Sequence, residues 1–443
     1  MIQKNKILKN KFGVYTSISV VVANMIGTGI FTSLGFQVMA LHSGMSLLSL
    51  WLLGGISSLI GALAYAELAT TLPRSGGEYN FLSIIYHPIL GFLAGWISFI
   101  VGFAAPTAAA SIALGSYLKS VFELPSILYG IRIEKYIAVG VLLLITLLHT
   151  TNKKTGAHFQ NLFTTIKIIL LLFLIILGFS AINNQHMDFS FSHDALKEIV
   201  SPAFAVSFFF VSFSYSGWNS AAYIAGEIRN PGKNIPLSLI TGTLIVTSLY
   251  VLITYSFLKV IPVTEMSGKI EIGYLFGDQV FSTNAAKIMG LIFSLLLLST
   301  VSALTLTGPR VTQVMGEDYK SINWFRKLSE REIPVRAILV QSALAIIYIL
   351  TSTFEQVITY IGFTLNLFTL LAVAGLFTLR SRYRDATPEY RMKLYPVLPI
   401  IFIMINMWFL VYGLIYKPFE SFAGLLTAAV GLIFYYSFKD KKA

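Results

Sequence analysis

The chain of 443 residues contains no cysteine. That excludes a disulfide framework, a thiolate metal site and a partner subunit tethered through a disulfide. Charge is also scarce: Asp, Glu, Lys and Arg make up 12% of the residues, against roughly 25% in a soluble domain. So little charge cannot coat the three soluble domains that the length alone would suggest. The acidic side is the scarcer one, with 20 residues against 32 basic ones and a net charge of +12. The six histidines (His42, His87, His149, His158, His186 and His193) stand near the ends of apolar runs or in the gaps between them. No HExxH or other ligand spacing joins them, so neither a metal nor another cofactor is expected.

What is abundant is apolar surface, at 56% of residues. From Phe12 to Ala66 there are 55 residues without Lys, Arg, Asp or Glu, enough for two membrane spans of about 20 residues with a turn at His42-Ser43-Gly44. Further charge-free runs cover Pro88–Leu118, Tyr136–Asn152, Ile199–Gly226, Asn234–Leu258, Ile288–Pro309, Ala337–Phe354, Gln356–Leu379, Leu394–Tyr416 and Ser421–Phe438. One more, Thr155–Met187, is interrupted only by Lys167. The pattern predicts an all-α membrane protein with twelve transmembrane helices. It forms one transmembrane domain over 13–438, between a basic tail of residues 1–12 and a short tail of 439–443. The apolar run after Lys4, Lys6, Lys9 and Lys11 is too long for a cleavable signal.

Orientation follows from Lys and Arg in the connections. With both termini cytoplasmic, the inner segments hold 23 basic residues and the outer loops 8, with Lys167 left over. Basic inner loops such as Arg310–Arg336 and Arg380–Lys393 suit anionic lipid heads. They give no reason to invoke nucleic acid. Pro236 is placed to open the helix after the 231–235 connection.

Two predicted helices carry breaking clusters near mid-span. In helix one it is Gly27-Thr28-Gly29, about 22 Å from a start near Gly13. In helix six it is Ser214-Tyr215-Ser216-Gly217. An offset of five helices inverts the second unit relative to the first, the arrangement of inverted-repeat transporters with a midplane site. Glycine pairs also serve close helix packing, so one such cluster alone carries little. A break frees N–H groups on one half-helix and carbonyls on the other, and these need partners in hydrocarbon. An α-amino acid offers both, its carboxylate suiting the amides and its ammonium the carbonyls.

Lys167 lies about 15 Å into helix five. A midplane ammonium costs at least about 3 kcal/mol, so it faces a polar interior, either as a fixed cation bracing helices or as a proton-linked group. Glu67 and Glu227 fall at inner span ends, where surface charge pairs are the default reading. Asn219 and Asn366 suit interhelical hydrogen bonds. Phe213 and Trp218 flank the second break as a lid or as plain packing. No acidic residue is expected beside either break, which predicts a preference for neutral substrates.

Several segments together resemble the amino acid–polyamine–organocation (APC) superfamily, closest to bacterial homologues of its L-type and cationic amino acid transporters. They are Ile26-Gly27-Thr28-Gly29-Ile30-Phe31, Phe213-Ser214-Tyr215-Ser216-Gly217-Trp218-Asn219, Leu72-Pro73-Arg74-Ser75-Gly76-Gly77-Glu78-Tyr79, Pro388-Glu389-Tyr390-Arg391 and Leu394-Tyr395-Pro396. The resemblance implies the LeuT fold: two inverted five-helix repeats (about 13–181 and 199–379) and two extra helices (about 394–438). It implies a secondary transporter of amino acids in the bacterial inner membrane, working by alternating access as an exchanger or a proton-coupled symporter. Amides of Thr28 and Gly29 would hold the substrate carboxylate, with Gly27 completing the break. Carbonyls of Met25, Phe213, Ser214 and Ser216 would receive the ammonium, Phe213 would close over the site, and Lys167 would take a coupling position. Ser214 and Ser216 replace the Ala and Gly of many L-type members, and Leu367 replaces a tryptophan found in some. A sensor on the same scaffold and a carrier of cationic amino acids or polyamines are the alternatives. A channel needs a polar ring, and an enzyme needs paired catalytic groups at depth; the sequence shows neither.

Overall fold

The computed structural model describes residues 12–151, 156–181, 187–331, 333–382 and 389–437, with the side chains of 156–164 and 320–321 outside that description. Residues 1–11 and 439–443 of the expected tails, His186 and Pro388, and the side chain of His158, lie outside the described residues.

The first apolar run forms α1 (Val14–Met25), a short gap, α2 (Gly29–Thr32) and α3 (Leu34–Gln37). Ser43 then caps α4 (Gly44–Thr71), its hydroxyl accepting from the Ser46 amide at 3.4 Å. A connection carries α5 (Glu78–Ile85), and α6 (Pro88–Ile97) and α7 (Ala104–Val121) make one long span joined by a π turn at Ser98–Phe103. Pro106 has no amide to offer the Gly102 carbonyl four residues back, which is the local cause of the widened turn. A two-residue ribbon, Ile127–Leu128 with Ile131–Arg132, precedes α8 (Ile133–Thr151) and α9 (Gly156–Ser180).

The second half runs through α10 (His193–Ile199), α11 (Pro202–Tyr215), α12 (Ser220–Tyr223) and α13 (Pro231–Val260). The short α14 (Val263–Met266) and α15 (Ile272–Val280) follow, then α16 (Thr283–Asp318), α17 (Val335–Thr351), α18 (Phe354–Arg382), α19 (Val397–Tyr416) and α20 (Pro418–Ser437). Pro231, not Pro236, opens α13; Pro236 sits inside it. At the first helical position the missing amide would have been unpaired anyway, which is why Pro231 takes the start. Among the described residues nine helices are long and apolar enough to cross a membrane, ten if the bent pair α10–α11 is one span, and two shorter apolar helices cover Thr165–Ser180 and Val335–Thr351. Large apolar side chains such as Leu147, Ile176, Met404, Phe422 and Leu426 point outward, as lipid requires.

Packing relates the halves. α4 lies against α13, α7 against α16 and α8 against α17, each a helix and its counterpart five spans later. The broken helices cross head to tail, α1 against α12 and α2 against α11. An antiparallel crossing of equivalent elements is what an inverted repeat produces. The fold is an all-α membrane bundle of the LeuT type.

Candidate functional site

The two breaks meet where the inverted halves cross. α1 ends at Met25, and the Ile26 amide makes its last helical bond, 3.0 Å to the Val22 carbonyl. Residues 26–28 are non-helical. Gly29 opens α2 against the last turn of α11: a Cβ there would fall 2.5 Å from the Ser214 Cα. No other residue type allows that approach. The second break lies two residues beyond the Ser214–Gly217 cluster's start. α11 continues through Tyr215, the chain turns over Ser216–Asn219, and α12 resumes at Ser220. Gly217 makes the turn at φ +101°, with the Asn24 carbonyl so near that a Cβ would sit 2.7 Å from it.

Among the described residues the amides of Thr28 and Gly29 have no acceptor outside helical hydrogen bonding, and neither caps a side chain. The carbonyls are partly engaged. The Tyr250 hydroxyl of α13 lies 2.6 Å from the Met25 carbonyl and 3.1 Å from that of Ser214, placed to donate to both. The Gly27 amide faces the same hydroxyl. The Phe213 carbonyl accepts from the Ser216 amide at 3.0 Å. The Ser214 hydroxyl donates to the Phe210 carbonyl at 2.7 Å and meets the Ser33 hydroxyl at 3.2 Å, stitching α11 to the start of α3. Tyr250 was not singled out in the sequence. The available signal is a tyrosine within the charge-free run 234–258, since a buried phenol needs a polar partner.

A cavity of about 2330 Å³ leads away from this crossing. Its walls include Phe213, Ser216, Gly217 and Asn366 at the breaks and Thr71, Arg74, Glu227 and Arg310 at one face of the bundle. We call this the basic face, since it carries the basic connections. Of the expected site residues, Phe213 and Ser216 line the cavity. Met25, Thr28, Gly29 and Ser214 are buried behind it, and Gly27 is half-buried with only the Met25 carbonyl, at 3.9 Å, near its missing Cβ. The π turn contributes Ser98, Gly102 and Phe103 to the wall opposite the breaks.

Lys167 is buried, and its Nζ donates to the Thr300 hydroxyl at 2.8 Å. Thr300 gives its own proton to the Leu296 carbonyl at 3.1 Å, so its oxygen is left to accept. The ammonium thus joins α9 to α16. It does not line the cavity, although Thr165 and Ile168 on the same helix do.

Glu67 forms the expected charge pair, and a tight one. Arg380 of α18 grips it with bonds of 2.7 and 2.6 Å, the Met392 amide adds a third at 2.7 Å, and the guanidinium stacks 3.9 Å from the Tyr395 ring. Glu227 has no charge pair among the described residues; its backbone instead accepts from the Phe12 amide at 2.9 Å. Asn366 bonds across helices to the Ser212 hydroxyl at 2.6 Å. Trp218 packs with its ring centroid 4.8 Å from that of Tyr65. One expectation fails. An acidic residue does approach a break: Asn219, at the end of the second turn, donates to Glu78 Oε1 at 2.8 Å. Glu78 is distant in sequence, and α5 folds back to bring it there.

A family model described as amino acid permease matches residues 12–434. The serine/threonine exchanger SteT of Bacillus subtilis (strain 168) is 30% identical over 98% of both chains. The human b(0,+)-type amino acid transporter 1 is 29% identical over 99% of this chain and 90% of its own length. The mouse large neutral amino acids transporter small subunit 2 is 27% identical, with 97% and 81% covered. With two broken helices crossed at mid-bundle and a match spanning nearly its whole length, the chain belongs to the amino acid permease family of the APC superfamily and is a secondary transporter of amino acids, not an enzyme.

Proposed function

We propose that the protein exchanges neutral amino acids across the bacterial inner membrane by alternating access, with its basic face and both termini cytoplasmic. The observation that carries this reading is the crossing itself: unpartnered amides of Thr28 and Gly29 on one half-helix end, and carbonyls of Met25, Phe213, Ser214 and Ser216 on the others. The amides hold the substrate carboxylate and the carbonyls its ammonium. Gly27 completes the first break, and Phe213, on the cavity wall, closes over the bound substrate. Twelve spans make up the domain, with repeats over about 13–181 and 199–379 and helices eleven and twelve over about 394–438.

Exchange is supported over proton symport by the setting of Lys167. A hydroxyl receives it and no carboxylate faces it among the described residues, so it serves as a brace between α9 and α16. The similarity to a bacterial serine/threonine exchanger points the same way. A neutral substrate is supported by the state of Glu78 on the cavity wall, whose Oε1 already accepts from Tyr65 at 2.7 Å and from Asn219 and whose Oε2 is buried.

The test is uptake into liposomes containing the purified protein, with each of the twenty amino acids as competitor. The expected result is uptake only into vesicles preloaded with a neutral amino acid, blocked best by small neutral competitors. Equal uptake into empty vesicles would remove exchange. Arginine or lysine outcompeting alanine, serine and leucine would remove the neutral preference.

A further inference from the structure

Glu78 stands at the start of α5, buried, among groups that belong to other helices. Its Oε1 accepts from the Tyr65 hydroxyl of α4 and from Asn219 at the second break. The Tyr223 hydroxyl of α12 also faces the carboxylate. Its Oε2 is buried and without a hydrogen-bond partner, and among the described residues no cation pairs with Glu78. A buried carboxylate held by neutral donors alone is a poor device for stability, because its desolvation goes uncompensated by an opposite charge. Such a group needs another reason to be there.

The residues before it supply that reason. Segment 75–78 runs along the second half of helix six and is fastened to it at several points. The Gly76 amide donates to the Tyr223 carbonyl at 3.1 Å, and the Gly226 amide donates to the Ser75 hydroxyl at 3.2 Å. Gly77 lies so close to the Tyr223 ring that a Cβ would come within 2.7 Å of it. The next residue ties the segment to a different body: the Tyr79 hydroxyl donates to Asp318 at the end of α16 at 2.6 Å. Adjacent residues therefore hold the second half of helix six on one side and a packed span on the other. The turn at Ser216–Asn219 separates the two halves of helix six, and Asn219 is its last residue.

We propose that Glu78 is a positioning residue of the transport cycle. Acting through Asn219, it sets the angle of the second half of helix six against α4, and so decides how far the basic face opens. Glu78 is on the cavity wall, and its assigned role is to act through Asn219, not as a ligand of the substrate. The inference rests on the transport reading above, but its test includes a readout that needs no transport.

Four proteins are compared with the parent: Glu78→Gln, Glu78→Ala, Asn219→Ala and the double variant Glu78→Gln/Asn219→Ala, each assayed per folded molecule after size-exclusion chromatography. Gln keeps the Oε1 acceptor for Tyr65 and Asn219, removes the carboxylate and puts an amide NH2 in place of Oε2. The expected result is maximal exchange about tenfold lower in each single variant, with KM moved less than about threefold, and a double variant no slower than Asn219→Ala alone. In parallel, a single cysteine placed at Thr307 on the cavity wall is labelled from the basic face without substrate. Its labelling rate should change at least about threefold when Glu78→Gln is added, because the population of the open state shifts. Multiplicative losses in the double variant, about a hundredfold in all, would overturn action through Asn219. Parental exchange and parental labelling in both Glu78 variants would overturn the proposal outright, as would a KM that rises in step with the loss of rate. If Glu78→Ala does not fold, Glu78→Gln decides alone. Failure of the parent to exchange any amino acid would remove the transport reading and leave the labelling result to judge Glu78.

Discussion

The two ends of the bundle differ in how tightly they are packed: one is closed, the other holds a cavity. At the face opposite the basic one, backbone meets backbone. The Gly268 amide donates to the Gly35 carbonyl at 2.8 Å, and a Cβ on Gly35 would lie 2.1 Å from the Lys269 carbonyl oxygen. Phe36 is sandwiched between Phe210 and Phe354 at 5.3 and 5.6 Å. Tyr117 bridges the Phe31 carbonyl and the Gly273 amide, each at 3.0 Å. At the basic face backbone bonds also occur, Phe12 to Glu227 and Gly76 to Tyr223, but they surround an open cavity and are joined by side-chain pairs: Glu67 with Arg380, Glu78 with Asn219, Tyr79 with Asp318. A packed seal at one end and an open vestibule at the other fit one half of the alternating-access cycle proposed above.

The sharpest way to break this comparison is at the crossing both ends share. Gly29→Ala adds a methyl group 2.5 Å from the Ser214 Cα, which cannot yield without separating α2 from α11. Uptake in proteoliposomes is expected to fall to background. Gly27→Ala, with open space at its Cβ, keeps the fold and is expected to stay within about threefold of the parent. Equal effects at the two glycines would remove the crossing as the constrained point.

Gly35→Ala attacks the seal itself, since its methyl group meets the Lys269 and Met266 carbonyls. Exchange is expected to fall about tenfold, with faster labelling of a cysteine at Ser33 from the far face. Lys167→Ala leaves both ends intact and removes the brace between α9 and α16. It is expected to insert normally yet lose most net transport, and Lys167→Arg is not expected to restore it, because a planar guanidinium is larger than the ammonium. Parental rates in Lys167→Ala would show that the brace is dispensable. The smallest change is Tyr250→Phe, which deletes one hydroxyl and leaves the ring packed against Trp51 at 5.5 Å. A hydrogen bond is worth about 0.5–1.5 kcal/mol, so the substrate KM is expected to rise about two- to tenfold.

The breaks were legible because a membrane span tolerates few interruptions. Gly27-Thr28-Gly29 stands out in a charge-free run, and its position fixes the crossing within a residue or two. The second break was displaced because Ser214 and Tyr215 keep helical geometry; the chain leaves the helix at Ser216 and turns at Gly217 with its positive φ. Lys167 was legible as a buried cation, but not its partner. Thr300 is one hydroxyl among many on α16, and only the packing of α9 on α16 selects it. Glu78 was missed as a neighbour of the second break for the same reason. Its contact with Asn219 spans 141 residues and depends on the path of α5. The π turn was missed because Pro106 alone does not say whether a helix kinks or widens.

The most direct test of alternating access uses the absence of native cysteine. Single cysteines at Thr307, on the cavity wall, and at Ser33, behind the far seal, are labelled from either side of oriented proteoliposomes. Without amino acid, Thr307→Cys is expected to react from the basic face and Ser33→Cys to stay protected. Saturating neutral amino acid on both sides is expected to slow the first and expose the second. Labelling of both positions at once in one population, unchanged by amino acid, would show a continuous path through the bundle and contradict the account.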